Sequence, residues 1–343
     1  MMSALRIAFV THGGPAIGLG HVTRCVALGR AFAAEGAEVR YLISPDERVA
    51  GLLRGASMIA VEIPWEADPR EALQSLAGLG SDVVVVDSYA ATPEFLGALR
   101  SVSGQVVAVD DMADRPFPVH VVVNGGVGAE RLSYRGAPDT VFLLGPRYAL
   151  VDPGYGAIPS RPVKESVRRV VLALGGAPDS AALRAAVLAA DACLDGVTID
   201  VALGPFARTA SEVEAVRLGA GGRLIVHRGL ADLRELMLSA DLAIAGSGMT
   251  LYELAATATP TVMVAMAENQ APNVDAFERA GAALSGGSAG DSRLKLTLES
   301  ALRRLAGDPA LRASLGKRAR DLVDGQGASR VAREIASLIP ARG

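Results

Sequence analysis

The sequence has few cysteines, few aromatic residues and little excess charge. Cys25 and Cys193 are its only cysteines and stand far apart in apolar surroundings. We therefore expect two reduced thiols, with neither a disulfide framework nor a metal site. The net charge of −3 argues against a broad nucleic-acid surface, which needs a basic excess. Aromatic residues make up 4% of the chain, so its apolar content comes from smaller side chains.

Long apolar runs are also missing. No segment reaches the ~18 to 20 apolar residues that a membrane-spanning helix needs. The first residues lack the pattern of a signal peptide. These absences predict a cytoplasmic protein with no transmembrane segment, no nucleic-acid partner and no cofactor. Its oligomeric state is left open.

Alternation of strands and helices is the main pattern that is present. The 343 residues exceed what one core usually holds, so we expect two domains. We place an N-terminal domain at 1–150, a C-terminal domain at 163–326, and a final helix at 327–343 that crosses back to the first domain. Residues 127–163, rich in proline and glycine, are predicted to connect the domains. The predicted strands are 6–10, 39–43, 60–63, 82–86, 106–109, 120–123, 170–174, 198–203, 224–226, 242–244 and 261–264.

This alternation predicts the α/β class, with two doubly wound Rossmann-like domains. Val, Leu and Ala predominate in the strands, as in parallel strands buried on both faces. Ligands of such sheets bind at the carboxyl ends of the strands. We expect the two sets of loops to face one another across a cleft.

A glycine-rich loop follows the first strand and leads into a helix. Gly14, Gly18 and Gly20 let the backbone approach a ligand, and the helix N-terminus favours an anion. The dinucleotide-binding fingerprint needs a third glycine where Val22 or Thr23 stands, and an acid at the tip of the second strand. Neither is present, so a nicotinamide cofactor is not predicted.

His21 is the candidate base in this loop. The positive helix end disfavours an imidazolium, and a neutral imidazole can take a proton from water or a hydroxyl. Arg24, three residues on, shares the same helix face. The alternative is that His21 caps the helix and Arg24 is solvated. His12 is either a second polar group of the site or a loop residue, while His120 is assigned a structural role.

Acidic residues follow two buried strands. Asp87 and the pair Asp110 and Asp111 stand where a carboxylate can reach a substrate. Alternatively, each caps the next helix or holds a loop through backbone amides. No further ligand cluster supports a metal at the pair.

The second domain repeats the glycine pattern. A strand ends at 244 and the glycine-containing segment 245–250 opens a helix predicted over 250–256, which predicts a phosphate or diphosphate pocket. Glu253, one turn further, can accept hydrogen bonds from a ribose diol. The alternative is a capping box that ends in Glu253. The candidate binding residues of this domain are Gly175, Gly176, Gly246, Ser247, Gly248, Met249, Thr250 and Glu253, with Asn269 and Gln270 for sugar hydroxyls.

Taken in order, the segments 18–25, 82–89, 110–111, 245–253 and 269–270 resemble the UDP-sugar hydrolases of pseudaminic acid biosynthesis, relatives of the MurG-type GT-B glycosyltransferases. The resemblance covers nearly the whole chain and implies a GT-B fold with the nucleotide on the second domain. It implies that His21 is catalytic, that 228–230, with Arg228 and Leu230, lie near the base, and that Glu253 holds the ribose. Family members cleave the anomeric C–O bond with inversion and need no metal. Segments 148–155 and 12–15 depart from the family, which leaves the sugar and the acceptor open.

These observations predict a nucleotide-sugar hydrolase, with a UDP-sugar as substrate. His21 would activate water, Arg24 would stabilise the diphosphate or order the site, and Asp87 and Asp111 would orient the histidine or the sugar. One alternative is a glycosyltransferase, in which an acceptor replaces water, since fold alone does not separate the two. Another is a protein that binds the nucleotide sugar without turnover.

Overall fold

The computed structural model describes residues 4–14, 17–159, 162–176, 178–204, 206–207, 223–230 and 232–339. The chain divides into two compact units, Met1–Gly154 with Gly325–Gly343, and Tyr155–Asp324. Each unit contains its own parallel sheet.

The first unit is built on a seven-stranded sheet in the order β3-β2-β1-β4-β5-β7-β9, and every pair in it is parallel. The strand order reverses between β1 and β4, where ligands bind in doubly wound folds. Strands β6 and β8 form a separate pair. The strands are β1 (Arg6–Thr11), β2 (Glu38–Ile43), β3 (Ile59–Glu62), β4 (Val83–Asp87), β5 (Gln105–Val109), β6 (Pro116–Phe117), β7 (Val121–Asn124), β8 (Arg135–Gly136) and β9 (Val141–Leu144), and the helices are α1 (Gly20–Ala34), α2 (Glu47–Gly55), α3 (Pro69–Leu79) and α4 (Pro93–Leu99).

The valine run of β4 shows why this sheet is buried on both faces. Val83 and Val85 join the core beneath α1, whereas Val84 and Val86 join the core beneath α3 and α4. Successive side chains of a strand point to opposite faces, so a central strand between two helix layers must be apolar at every position.

The second unit has a six-stranded parallel sheet in the order β12-β11-β10-β13-β14-β15. Its order reverses between β10 and β13. The strands are β10 (Arg169–Ala173), β11 (Thr198–Leu203), β12 (Arg223–Arg228), β13 (Leu242–Gly246), β14 (Thr261–Ala265) and β15 (Leu284–Ser288), and the helices are α5 (Ser180–Cys193), α6 (Arg234–Ser239), α7 (Met249–Ala256), α8 (Ala271–Arg279), α9 (Leu294–Ala306) and α10 (Pro309–Leu322).

The last helix, α11 (Gly327–Ser337), belongs to the first unit. It packs on α1, and its apolar face (Val331, Ala332 and Ile335) is buried in the core beneath that helix. Glycine is required at its start, because a Cβ on Gly327 would lie 2.2 Å from the carbonyl oxygen of Ala149.

Two strands of the main sheets, β9 and β15, differ from the sequence predictions. Residues 127–163 do not only connect domains, since β9 lies within them and pairs with β7 as the last strand of the first sheet. This edge strand is short and partly exposed, so it lacks a buried strand's apolar pattern. Strand β15 was not predicted because it contains two glycines. Gly286 is needed there, since a Cβ would lie 2.6 Å from Leu298 Cδ2 on α9.

The described residues contain neither a membrane-spanning helix nor a cluster of metal ligands. No helix among them is both long and apolar enough to cross a bilayer. Nor do they include a group of three or more histidine, cysteine or acidic side chains able to hold a metal ion.

Candidate active site

The loop between β1 and α1 places His21 at the carboxyl edge of the first sheet. Gly14 and Gly18 close the loop with two reciprocal backbone hydrogen bonds of 2.7 and 3.1 Å. Gly18 has a φ of 83°, a conformation that favours glycine. Helix α1 then begins at Gly20, so His21 lies in its first turn. Pro15 and Ala16 lie outside the described residues.

His21 is held by the carboxylate that ends β4. Its Nδ1 lies 2.6 Å from Asp87 Oδ1, and Asp87 is fully buried. Among the described residues, Nε2 has no hydrogen-bond partner. A histidine bound to a carboxylate through Nδ1 is fixed in orientation and can use Nε2 as a base. No side chain caps α1, so the capping interpretation of His21 is wrong.

Arg24 joins the two carboxylates of the site. Its Nε and Nη2 lie 2.5 and 2.7 Å from the oxygens of Asp87, and its Nη1 lies 2.7 and 2.9 Å from those of Asp111. Burial opposes the charged guanidinium, but Asp111 and Asp87 raise the pKa of Arg24 well above its usual value. Arg24 is only 8% exposed, so it is not solvated. All three of its nitrogens contact carboxylates, so the guanidinium holds Asp87 and Asp111 together beside His21.

The same contacts keep Asp87 ionised. Burial alone would raise the pKa of this carboxyl, but the charges of Arg24 and His21 and their hydrogen bonds hold it well below its usual range. The carboxylate that orients His21 is therefore negatively charged at any pH near neutrality. It does not cap the next helix, because the N-cap of α4 is Thr92.

Tyr89 is a member of the site to which sequence reasoning gave no role. Its hydroxyl donates to Asp111 Oδ2 at 2.9 Å, and its ring lies edge-on to the His21 ring, with 4.6 Å between centroids. Burial and the charge of Asp111 raise the pKa of Tyr89 above its usual value, so the hydroxyl keeps its proton. Its position two residues after Asp87 was the available signal.

His12 lies in the loop after β1, within a polar cluster beside His21. Its Nδ1 contacts Glu66, whose other oxygen accepts from Ser44. The centroids of the His12 and His21 rings lie 5.1 Å apart. Burial lowers the pKa of His12 and outweighs the hydrogen bond to Glu66, so this ring is neutral at neutral pH. Glu66 was missed because it comes from the loop after β3, which is anchored by Trp65.

Asp110 and His120 have structural roles. Asp110 Oδ2 accepts from the backbone amides of Met112 and Ala113 at 2.8 and 2.7 Å, so it holds the loop after β5. Of the acidic pair, only Asp111 contacts Arg24. His120 Nδ1 accepts from the backbone amide of Val106 at 2.9 Å, as its structural assignment implies. Both cysteines are free thiols.

The candidate residues of the second unit lie at the carboxyl edge of its sheet. Gly246 ends β13, and a Cβ there would make a tight contact of 3.1 Å with the carbonyl oxygen of Leu174, so glycine is favoured at this position. Ser247 is fully buried and donates its hydroxyl to Val264 O at 2.9 Å, so this hydroxyl is not free for a ligand. The N-cap of α7 is Gly248, with no side-chain cap, so the capping-box alternative is wrong.

Three consecutive backbone amides at the start of α7 can bind an anion. The N–H groups of Gly248, Met249 and Thr250 have no acceptor among the described residues. Such amides, at the positive end of a helix, are suited to phosphate. Glu253 lies one turn further along α7, partly buried.

The remaining predicted residues lie at the ends of neighbouring strands. Gly175, with a φ of 109°, and Gly176 follow β10, while Arg228 ends β12 and Leu230 follows it, both exposed. Asn269 is exposed in the turn before α8. Gln270 Oε1 accepts from the Met266 backbone amide at 3.1 Å, so this oxygen is already used within the protein.

The chain is similar in sequence to several known proteins. No protein-family model matches it. It is 25% identical to the spore coat polysaccharide biosynthesis protein SpsG of Bacillus subtilis, over 95% of this chain and 96% of that protein. It is 24% identical to an uncharacterised protein of Methanocaldococcus jannaschii, over 78% of this chain but only 57% of that protein. Over 35% of this chain and 31% of that protein, it is 34% identical to an undecaprenol N-acetylglucosamine transferase of Sorangium cellulosum.

Solved structures show the fold. Acinetobacter baumannii MurG superimposes with a TM-score of 0.68 and 17% identity, over 97% of this chain and all of that one. The spinosyn rhamnosyltransferase SpnG in complex with thymidine diphosphate superimposes with a TM-score of 0.65 and 18% identity, over 97% of this chain and all of that one. The chain therefore has the GT-B fold of these glycosyltransferases, as the sequence predicted.

Proposed function

We propose that this protein is an inverting glycosyltransferase that uses a nucleoside diphosphate sugar as donor, with His21 as its base. The observation that carries the proposal is the buried pair of His21 and Asp87, which leaves Nε2 as the one ring nitrogen without a partner among the described residues. The GT-B fold and the relatives in carbohydrate biosynthesis support the donor class.

The chemistry follows from the arrangement of each unit. His21 Nε2 takes the proton of a hydroxyl or amine as that group forms a bond to the anomeric carbon. The C–O bond to the diphosphate breaks on the opposite face, and the diphosphate leaves with the electron pair. The imidazolium that forms is stabilised by Asp87, which Arg24 keeps ionised and fixed.

The second unit would bind the leaving group. The free amides of Gly248, Met249 and Thr250 suit a diphosphate, and they stabilise its developing charge without reorganising. By resemblance, Glu253 holds the ribose, and Arg228 and Leu230 lie beside the base. A UDP-sugar is the proposed donor, and the thymidine diphosphate bound to SpnG makes a TDP-sugar the next to test.

Hydrolysis is the second candidate function. The segment 18–25, which contains His21 and Arg24, favours it through its resemblance to UDP-sugar hydrolases. The same machinery would act, with water in place of the acceptor. The two candidates therefore differ only in the nucleophile.

A nucleotide-release assay tests both candidates. The purified protein is incubated with UDP-, TDP- and CMP-sugars, with and without a panel of hydroxyl and amine acceptors. We expect release to depend on an acceptor and to be lost in His21→Ala while UDP binding is kept. The matched control is His120→Gln, since His120 precedes β7 at the opposite edge of the sheet. Rapid release without acceptor would establish the hydrolase instead, and binding without release under any condition would contradict both.

A further inference from the structure

Polar side chains follow four adjacent strands at the carboxyl edge of the first sheet. Glu66 follows β3, Ser44 follows β2, His12 follows β1 and Ser88 follows β4, and these strands are neighbours in that order. One oxygen of Glu66 contacts His12 Nδ1, and the other accepts from the Ser44 hydroxyl. Ser88 Oγ lies 3.3 Å from both ring nitrogens of His12. The order of the strands thus gathers four distant residues into one cluster.

The turn that carries Glu66 is fixed by the preceding residue, Trp65. The indole of Trp65 is buried and stacks on the ring of Phe95, with 5.7 Å between centroids. Its Nε1–H donates to the carbonyl oxygen of Thr11 at 3.2 Å. Glu66 is therefore held in place before a ligand arrives, which lowers the entropic cost of binding one.

The charge of Glu66 has no cationic partner within the described part of the chain. Asp87 and Asp111 are both paired with Arg24, whereas Glu66 forms an ion pair with no lysine or arginine among the described residues. Its basic partner, His12, is neutral at neutral pH because burial lowers its pKa. The Glu66 side chain is 32% exposed, so a ligand can reach a carboxylate that these contacts leave uncompensated.

This carboxylate lies close to the candidate base. His12 contacts Glu66 through Nδ1, and its ring centroid lies 5.1 Å from that of His21. A molecule that presents its nucleophile to His21 therefore also lies near Glu66. An ammonium is the substrate group that suits this position, because it carries the opposite charge and three donors, whereas a carboxylate only accepts.

We propose that Glu66, held by His12 and Ser44, is a specificity-determining residue that binds an ammonium group of the acceptor. The acceptor class is then an amino sugar, whose hydroxyl attacks at His21 while its ammonium pairs with Glu66. The inference rests on the proposed function, since it takes an acceptor as the nucleophile. A hydroxyl in place of the ammonium would make a neutral hydrogen bond where the ammonium makes a charge-assisted one.

Trp65 provides a binding assay that needs neither nucleotide nor turnover. It is the only tryptophan and directly precedes Glu66, so a single indole N–H resonance in a proton–nitrogen correlation spectrum reports ligands of this cluster. Amino sugars with the amine at different carbons are titrated beside the same sugars with a hydroxyl there. We expect at least one amino sugar to bind about 10-fold more tightly than its hydroxyl counterpart, the effect of one charge-assisted hydrogen bond.

Three variants test the carboxylate itself. Glu66→Gln keeps the shape of the side chain but removes its charge, so we expect the preference for the amino sugar to disappear. Ser44→Ala keeps the charge but removes one donor that positions it, so we expect amino-sugar binding to weaken by about 3-fold. Glu35→Gln is the matched control, because Glu35 is exposed at the C-terminal end of α1, whose first turn holds His21 at the carboxyl edge.

The same proteins enter the nucleotide-release assay, with the amino sugars as acceptors. We expect Glu66→Gln to raise the KM for the amino sugar by about 10-fold and to leave kcat unchanged. If release depends on an acceptor and Glu66→Gln leaves that KM unchanged, the inference is wrong and the proposed function stands. If Glu66→Gln abolishes the binding preference but no nucleotide is released, the ammonium site is supported and the proposed function fails. If the unaltered protein prefers no amino sugar, the inference is wrong.

Discussion

Replacing Arg24 with methionine tests the electrostatics of the first site most directly. In the folded protein the guanidinium bridges the fully buried Asp87 and the half-exposed Asp111. Arg24→Met keeps most of the apolar stem but leaves Asp87 buried, with His21 Nδ1 and the Cys25 thiol as its remaining side-chain hydrogen-bond partners. Breaking a buried ion pair on one side typically costs about 3–5 kcal/mol, and we expect a loss of that order at pH 7.

The loss should depend on pH with a definite sign. The pKa of Asp87 is lower in the folded protein than the ~3.9 of an unfolded chain, so its ionic contacts stabilise the fold above that value. This stabilisation disappears as the pH falls through the folded-state pKa. In Arg24→Met that pKa rises, because burial is no longer offset by the guanidinium. The protonated carboxyl needs no cation, so the difference between the two proteins should shrink as the pH is lowered from 7 towards 4.

The single tryptophan offers the assay. Trp65 is buried in the first unit and donates its Nε1–H to the Thr11 carbonyl at the end of β1, so its fluorescence in urea reports the unfolding of that unit. Arg30→Met is the matched control, since Arg30 lies on the same helix with 43% of its side chain exposed and an ion pair to Asp152. We expect that control to change stability by less than about 1 kcal/mol. The reasoning is refuted if Arg24→Met is no more destabilising than Arg30→Met, or if its loss is the same at pH 7 and pH 4.

Three further predictions follow from side-chain contacts. Ser247→Ala should lower the free energy of unfolding by about 1 kcal/mol in thermal denaturation, because the hydroxyl donates to the Val264 carbonyl. The Kd for UDP should stay unchanged, and a large loss of affinity would contradict this. Gly286→Ala should destabilise the second unit by roughly 1–3 kcal/mol in urea denaturation, because its Cβ would overlap Leu298; an unchanged midpoint would show that α9 moves freely. In thiol titration of the native protein, Cys193 should react before Cys25. Burial raises the pKa of the Cys25 thiol more than that of the Cys193 thiol, and it also shields Cys25 from the reagent. Equal reaction rates would contradict the burial of Cys25.

Local patterns in the sequence predicted most of the fold. The valine run of β4, the alternation of strands with helices and the glycines before α1 and α7 depend on neighbours within a few residues, so they could be recognised without the tertiary structure. The same patterns placed His21, Asp87 and Gly248 at the carboxyl edges of their sheets. They did not predict β9, which lies at the exposed edge of its sheet and lacks the apolar pattern of a buried strand. They did not predict β15 either, because a glycine stands where α9 packs closely against it.

Only the tertiary structure decided which of these groups meet and in what direction they point. Asp87 orients His21 because β4 lies beside β1 in the sheet, although 66 residues separate them in sequence. The pairing of β4 with β5 brings Asp87 and Asp111 together around Arg24, and a carbonyl of β14 turns the Ser247 hydroxyl inward. Hydrogen-bond partners depend on strand order and on the path of distant loops, which local periodicity does not encode. The sequence determined that a histidine and a glycine turn stand at the ends of buried strands. The fold decided that the histidine is bound through Nδ1 to Asp87, and that the turn presents three amides without an acceptor among the described residues.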